Sequence, residues 1–180
     1  MLKKFYPGNY IDSVFSIDFQ KLYDKGYRAI LFDVDNTLVH HGEDSNEQVD
    51  ALLQKVQSLG FQTLLLSDNN EERLQRFLKN IDSLYIAEAG KPAPDSYLKA
   101  LQMLQVSKEQ ALCIGDQIFK DILGANQSGI DSILVHFIQK RKHAWIGWRR
   151  YVEKCILLCY RLSKSYNRLG NIGKDEVRNG

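Results

Sequence analysis

The sequence predicts a three-layer α/β fold with a central parallel sheet, and three observations carry that expectation. Between residues 28 and 138, short apolar runs alternate with amphipathic stretches. The connections between them are short, as strand–helix alternation in a parallel sheet requires. At 180 residues the chain has the size of one ordinary domain and can bury a proper core. Hydrophobic residues at 44% and charged residues at 26% form a globular balance that excludes wholesale disorder.

Residues 1–27 are the least defined, and Asn9–Leu22 reads as a helix with a break lying against the sheet edge or one face. Five candidate strands follow: Ala29–Asp33, Phe61–Leu66, Leu84–Ala87, Ala111–Ile114 and Asp131–His136. The first and last are near-continuously apolar, which suits strands covered on both faces. Between them, Asn46–Leu59 places Val49, Leu52, Leu53, Val56 and Leu59 on one helical stripe, and Gly60 stops it. Asn70–Asn80 carries Leu74, Phe77 and Leu78. Pro94–Leu104 turns Tyr97, Leu98, Leu101 and Leu104 inward, and Ile118–Gln127 follows the fourth strand.

The net charge of +2 hides an asymmetry. Residues 1–138 hold 13 basic and 19 acidic side chains, whereas residues 139–180 hold 11 and 3. The expected organisation is therefore a catalytic-type α/β domain over 1–138 and a basic amphipathic extension over 139–180. Three cysteines, Cys113, Cys155 and Cys159, form no C-x-x-C unit and no paired framework, which suits a reducing compartment. The N-terminus has no unbroken apolar h-region, and no stretch of 18 apolar residues exists, so a cytoplasmic protein, at most peripheral to a membrane, is expected.

Candidate chemistry sits at the strand ends, where parallel sheets place their ligand sites. The first strand runs into Asp33-Val34-Asp35-Asn36-Thr37-Leu38, the second into Ser67-Asp68-Asn69, the third into Gly90-Lys91-Pro92, and the fourth into Gly115-Asp116-Gln117 with Asp121 beyond. Singly, each element reads as an ordinary turn or helix cap. Together and in this order they resemble the haloacid dehalogenase (HAD) superfamily of aspartyl-phosphate phosphotransferases, and more narrowly the YqeG-like branch of subfamily IIIA, related to phosphatidylglycerophosphate phosphatases.

That resemblance implies a HAD-like Rossmannoid fold and a set of roles. Asp33 would be the nucleophile that forms an aspartyl-phosphate, and Asp35 the general acid and later base. Ser67 would hydrogen-bond the phosphoryl group, and Lys91 would offset the charge on Asp33 and the phosphoryl oxygens. Mg²⁺ would be held by the Asp33 carboxylate, the Asp35 carbonyl and Asp116, supported by Asp121. Asn36, Thr37, Asp68, Asn69 and Gln117 would complete the phosphate surroundings. An all-oxygen, carboxylate-rich set suits hard Mg²⁺, and His40, His41, His136 and His143 form no spaced zinc set. His40-His41 reads as a surface loop pair, with contact to substrate as the lesser alternative. Lys120 stands where a small hydroxyl residue is expected, which leaves the local charge of the fourth loop open.

Phospho-receiver domains, which bind partners, also combine clustered acids, a hydroxyl and a lysine on a parallel sheet. Their chain order differs, and the order here favours the enzyme. The intervals from Asp33 to Ser67, Lys91 and Asp116 are 34, then 24, then 25 residues. A βαβ unit needs about 30, so no cap domain is expected. An open site suits large or surface-presented phosphates: lipid headgroups, nucleic acid ends or phosphoproteins. In the tail, Trp145, Trp148, Val152, Cys155, Ile156, Cys159 and Leu162 share one side at helical spacing, with Arg149, Arg150, Lys154 and Arg161 largely elsewhere. Such a helix suits an anionic membrane surface or packs against the domain. Nucleic acid would explain its charge but not its tryptophans. The sequence does not decide among these, nor does it fix an oligomeric state.

Overall fold

The computed structural model describes residues 2–138 and 148–174. Six strands form one sheet: β1 (Asn9–Ile11), β2 (Ala29–Phe32), β3 (Gln62–Leu66), β4 (Leu84–Ile86), β5 (Ala111–Gly115) and β6 (Asp131–Val135). Their order is β1-β6-β5-β2-β3-β4, and every pairing is parallel. The order reverses beside β2, so its C-terminal end opens onto the crevice where doubly wound sheets hold ligands.

Strand alternation explains the three layers. Ile30 and Phe32 face one side with α1 (Phe19–Asp24), α2 (Glu47–Ser58) and α3 (Glu71–Phe77). Ala29 and Leu31 face the other with α4 (Pro94–Leu104) and α5 (Leu123–Gln127). All four residues of β2 are buried, as expected of a strand covered on both faces. Asn46 caps α2 by accepting from the Gln48 and Val49 amides, and Val49, Leu52, Leu53 and Val56 enter the core. In α4 the inward set is Tyr97, Ala100 and Leu104. Leu98 is exposed, contrary to the sequence expectation, because it lies about 100° round the helix from the inward Tyr97, past which α4 approaches α5 tightly. Gly124 makes that approach possible, since a Cβ there would lie 2.4 Å from the Tyr97 ring.

One other expectation changes. Residues 9–22 are not one broken helix: β1 extends the sheet edge beside β6, and a 3₁₀ turn at Val14–Ser16 leads into α1. The sequence left open whether the C-terminal extension packs on the domain, and residues 148–174 do. Its helix α6 (Trp148–Arg161) buries Glu153, Ile156 and Tyr160, and Ile156 joins Ile118, Ile122 and Leu134. Leu169 and Ile172 then enter the core on the opposite face of the sheet. Residues 148–174 thus wrap the β1 edge. Asn9 fixes the wrap, donating to the Gly170 carbonyl at 2.8 Å and accepting from the Leu169 amide at 3.1 Å. Arg168 pairs with Asp131 at 2.5 Å.

The apolar stripe read in the tail is placed in part, and it is split between two sides of α6. Val152, Cys155, Cys159 and Leu162 are exposed, while Ile156 turns inward. Trp145 lies outside the described residues.

Candidate active site

Asp33 directly follows β2, and its amide donates to the Ile114 carbonyl at 2.9 Å, so the sheet itself sets its position. Its carboxylate is buried and held on both oxygens. Lys91 Nζ donates to Oδ1 at 2.6 Å, and Thr37 Oγ1 donates to Oδ2 at 2.8 Å. The return of Thr37 toward Asp33 needs a sharp reversal. Asn36 supplies it at φ +65, a left-handed conformation that asparagine tolerates better than most residues. Thr37 is consequently buried behind Asp33 and does not line the cleft.

Asp35 points the other way along the turn. It accepts from the Gly42 amide at 3.0 Å and from Asn69 Nδ2 at 2.7 Å. Asn69 Nδ2 also donates to Ser67 Oγ at 2.9 Å, and the Asn69 amide donates to the same oxygen at 3.2 Å. Ser67 accepts in both bonds, so its own proton remains available to a ligand oxygen.

Lys91 is the hub of the buried charges. Its ammonium bridges Asp33 and Asp121, the latter at 2.7 Å, and its amide donates to Asp68 Oδ1 at 3.0 Å. The Lys91–Pro92 peptide is cis. Asp121 uses its second oxygen to accept from the Gln117 amide at 3.0 Å, so it orients the lysine and the fourth loop together. Lys120, the departure noted in the sequence, pairs with Asp68 at 2.7 Å on the cleft wall. That contact answers the open question of local charge.

One lysine serving two buried carboxylates leaves an excess of negative charge. Burial pushes the Asp33 carboxyl up to about 6 against the pull of Lys91, with the Asp121 carboxylate adding to the rise. Burial opposes the charge on Lys91, but Asp121 and Asp33 together outweigh it and hold the ammonium above its ordinary value. Asp33, Asp116 and Asp121 each bring a carboxylate oxygen to within 4.8 Å of the others, all three residues buried. Among the described residues this is the only such grouping of three. Hard oxygen donors and uncompensated negative charge are what a small divalent cation neutralises.

Asp33, Asp35, Asn36, Ser67, Asp68, Asn69, Lys91 and Gln117, all expected from the sequence, line one cleft of about 140 Å³. Asp116 and Asp121 stand behind its floor with Asp33. The connections 33–46 and 87–93 are short loops, so no inserted domain covers it there.

Three participants were not expected. His41 Nδ1 stands 3.3 Å from Asp35 Oδ2 on the cleft rim. Arg73, buried, donates to the Glu43 carbonyl and to Asp44 at 3.2 Å, and lies 3.6 Å from Asp35. It pins the loop that presents the Gly42 amide. Its signal was available: Arg73 and Phe77 are i and i+4 in α3, so the arginine shares the buried stripe. Glu153 of α6 accepts from the Ile118 amide at 3.0 Å, which secures the wide helical turn Ile118–Ile122 that carries Asp121. A separate hollow of about 790 Å³ between β1 and residues 167–174 lies away from these carboxylates.

A family model described as haloacid dehalogenase-like hydrolase matches residues 42–129. A protein of Bacillus subtilis (strain 168) named Probable phosphatase YqeG is 30% identical over 159 residues, 87% of this chain and 92% of its own. Among solved structures, an uncharacterized protein from Listeria monocytogenes serotype 4b is similar with a TM-score of 0.53 at 21% identity, over 73% of this chain and 97% of that one. The cobalt-bound deoxy-D-mannose-octulosonate 8-phosphate phosphatase of Haemophilus influenzae gives 0.51 at 16% identity, over 78% and 91%. These two structures share the fold.

Proposed function

Because this chain belongs to the haloacid dehalogenase-like hydrolase family, we propose that it is a Mg²⁺-dependent phosphatase that cleaves a phosphate monoester through a phosphoryl group held covalently on Asp33. The observation that carries this reading is the pair of acids at the end of β2. Asp33 is clamped in plane by Lys91 and Thr37, and Asp35, two residues on, is held by Asn69 and Gly42 beside the same cleft.

Asp33 forms the new P–O bond as the ester P–O bond breaks. The proton of Asp35 goes to the leaving alkoxide, which departs as an alcohol. Asp35, now a carboxylate, takes a proton from water. The water oxygen attacks phosphorus and releases Asp33 and phosphate. Lys91 and Ser67 supply positive charge and a donor to the equatorial oxygens, where the transition state spreads its charge. Asp33, Asp116 and the Asp35 carbonyl would hold Mg²⁺, with Asp121 in support. Once bound, the ion would add Lewis-acid neutralisation of the phosphoryl oxygens.

For the substrate, we read the open cleft and the YqeG resemblance as favouring a lipid monoester, phosphatidylglycerophosphate, in phospholipid synthesis. Nucleic acid ends and phosphoproteins are the competing substrates. A panel of p-nitrophenyl phosphate, phosphatidylglycerophosphate in detergent, a 5′-phosphorylated oligonucleotide and a phosphopeptide, each with Mg²⁺ and with chelator, tests both levels. Turnover of none of them with Mg²⁺ refutes the phosphatase. Undiminished turnover in excess chelator refutes the metal. Preference for the oligonucleotide or peptide refutes the lipid.

A further inference from the structure

Helix α6 has an inner stripe and an outer apolar stripe on opposite sides. Glu153, Ile156 and Tyr160 form the inner one against the domain. Tyr151, Cys155, Leu158 and Leu162 recur at i, i+4, i+7 and i+11 and face away from it. This outer stripe is not marginally exposed: Tyr151 is 61%, Leu158 62% and Leu162 84% accessible. Isolated surface leucines are ordinary, but a contiguous apolar row on one helix marks a contact surface.

We propose that the outer face of α6 docks the protein onto an anionic lipid surface. Charge selects that occupant. Lys154 and Arg161 are exposed beside the stripe, and Lys164 follows. The only acid between residues 139 and 174 is Glu153, which is turned inward. The sequence immediately before the described helix adds Lys140, Arg141 and Lys142. An apolar row beside basic side chains, with no acid facing out, is the composition of a helix lying in a membrane interface. A nucleic acid would take the charge but would leave Leu158 and Leu162 without a partner. No helix among the described residues is long and apolar enough to cross a membrane, so the contact is peripheral.

Docking by α6 also brings the cleft close to the lipid. Glu153 and Lys154 share a small hollow, about 80 Å³, with Asp116, so the helix lies beside the carboxylate cluster. The proposal does not depend on which monoester is hydrolysed, because it can be tested with lipids that carry none.

The experiment is co-sedimentation of the full chain with vesicles of phosphatidylcholine alone or mixed with phosphatidylglycerol. Binding to the mixed vesicles alone is expected, weakening as salt rises. The pair Arg161→Gln and Lys164→Gln should weaken it about 25-fold, roughly fivefold for each cation near such a surface. Leu158→Ser with Leu162→Ser should weaken it about tenfold or more. Both pairs should keep the melting temperature and the hydrolysis of p-nitrophenyl phosphate, since these side chains face away from core and cleft. Three results overturn the proposal: equal or no binding to the two vesicle types; a wild-type dimer that the leucine pair dissociates, with vesicles ignored; or oligonucleotide binding at the same salt sensitivity that the leucine pair leaves unchanged.

Discussion

Thr37 was expected among the phosphate contacts, and the structure gives it a different position, with its hydroxyl donating to Asp33 from behind. The nearly isosteric Thr37→Val removes that one hydrogen bond and leaves Asp33 free to tilt. We expect kcat to fall about 10- to 100-fold with little change in KM, the scale set by groups that orient a reacting side chain. Steady-state kinetics on p-nitrophenyl phosphate measure this; equal kcat would show that Lys91 alone orients Asp33. Asp33→Asn should remove turnover by on the order of 10³-fold or more, as expected for loss of a nucleophile. It should not unfold the protein, because Lys91 keeps Asp121 as its counter-ion. A thermal melt beside the assay separates those effects. The identities of Asp33, Ser67 and Asp116 were legible because each directly follows a strand, and those of Asp35 and Lys91 because they stand in the loops that leave β2 and β4. Thr37's partner was not, because it depends on a backbone reversal at Asn36. His41 reaches Asp35 through a loop whose path no local pattern encodes, whereas the buried stripe of α3 did hold a signal for Arg73.

At the scale of elements, the central strands were readable and the edge was not. Strands β2 and β6 announce themselves by continuous apolar character, whereas β1 is three residues, Asn9-Tyr10-Ile11, too short to show a period. Helix α6 was recognised, but which of its sides meets the domain was left open. Apolar residues surround it, so periodicity permits two stripes, and the choice is made by what each meets. Glu153 meets the Ile118 amide and Tyr160 the Gly8 carbonyl, which draws that side in. We therefore expect Glu153→Ala to loosen the turn carrying Asp121 and to weaken Mg²⁺ binding about 10-fold. Glu153→Gln, which keeps an oxygen acceptor, should restore most of it. The Mg²⁺-induced rise in melting temperature reads this without any turnover. If both variants bind Mg²⁺ like the wild type, Glu153 serves only the packing of α6.

For the whole molecule, the basic extension is structural as well as charged, which composition alone could not show. Ile172→Ala empties a fully buried site far from the cleft and should cost about 2–5 kcal/mol. Denaturant titration measures that cost, and the kcat of the folded fraction should be unchanged. The same wrap has a consequence in time. The groups that hold Asn9, Leu169 and Gly170, are synthesised 160 or more residues after it. After β6 is complete at Val135, a ribosome working at about 5–20 residues per second needs roughly 2–7 s to reach the residues that clasp Asn9. During that interval the catalytic strands can already pair, while the outer edge of the sheet waits uncovered. The nascent chain is then most open to misassociation just when its active centre is nearly built, and the stretch translated after β6 acts as the latch.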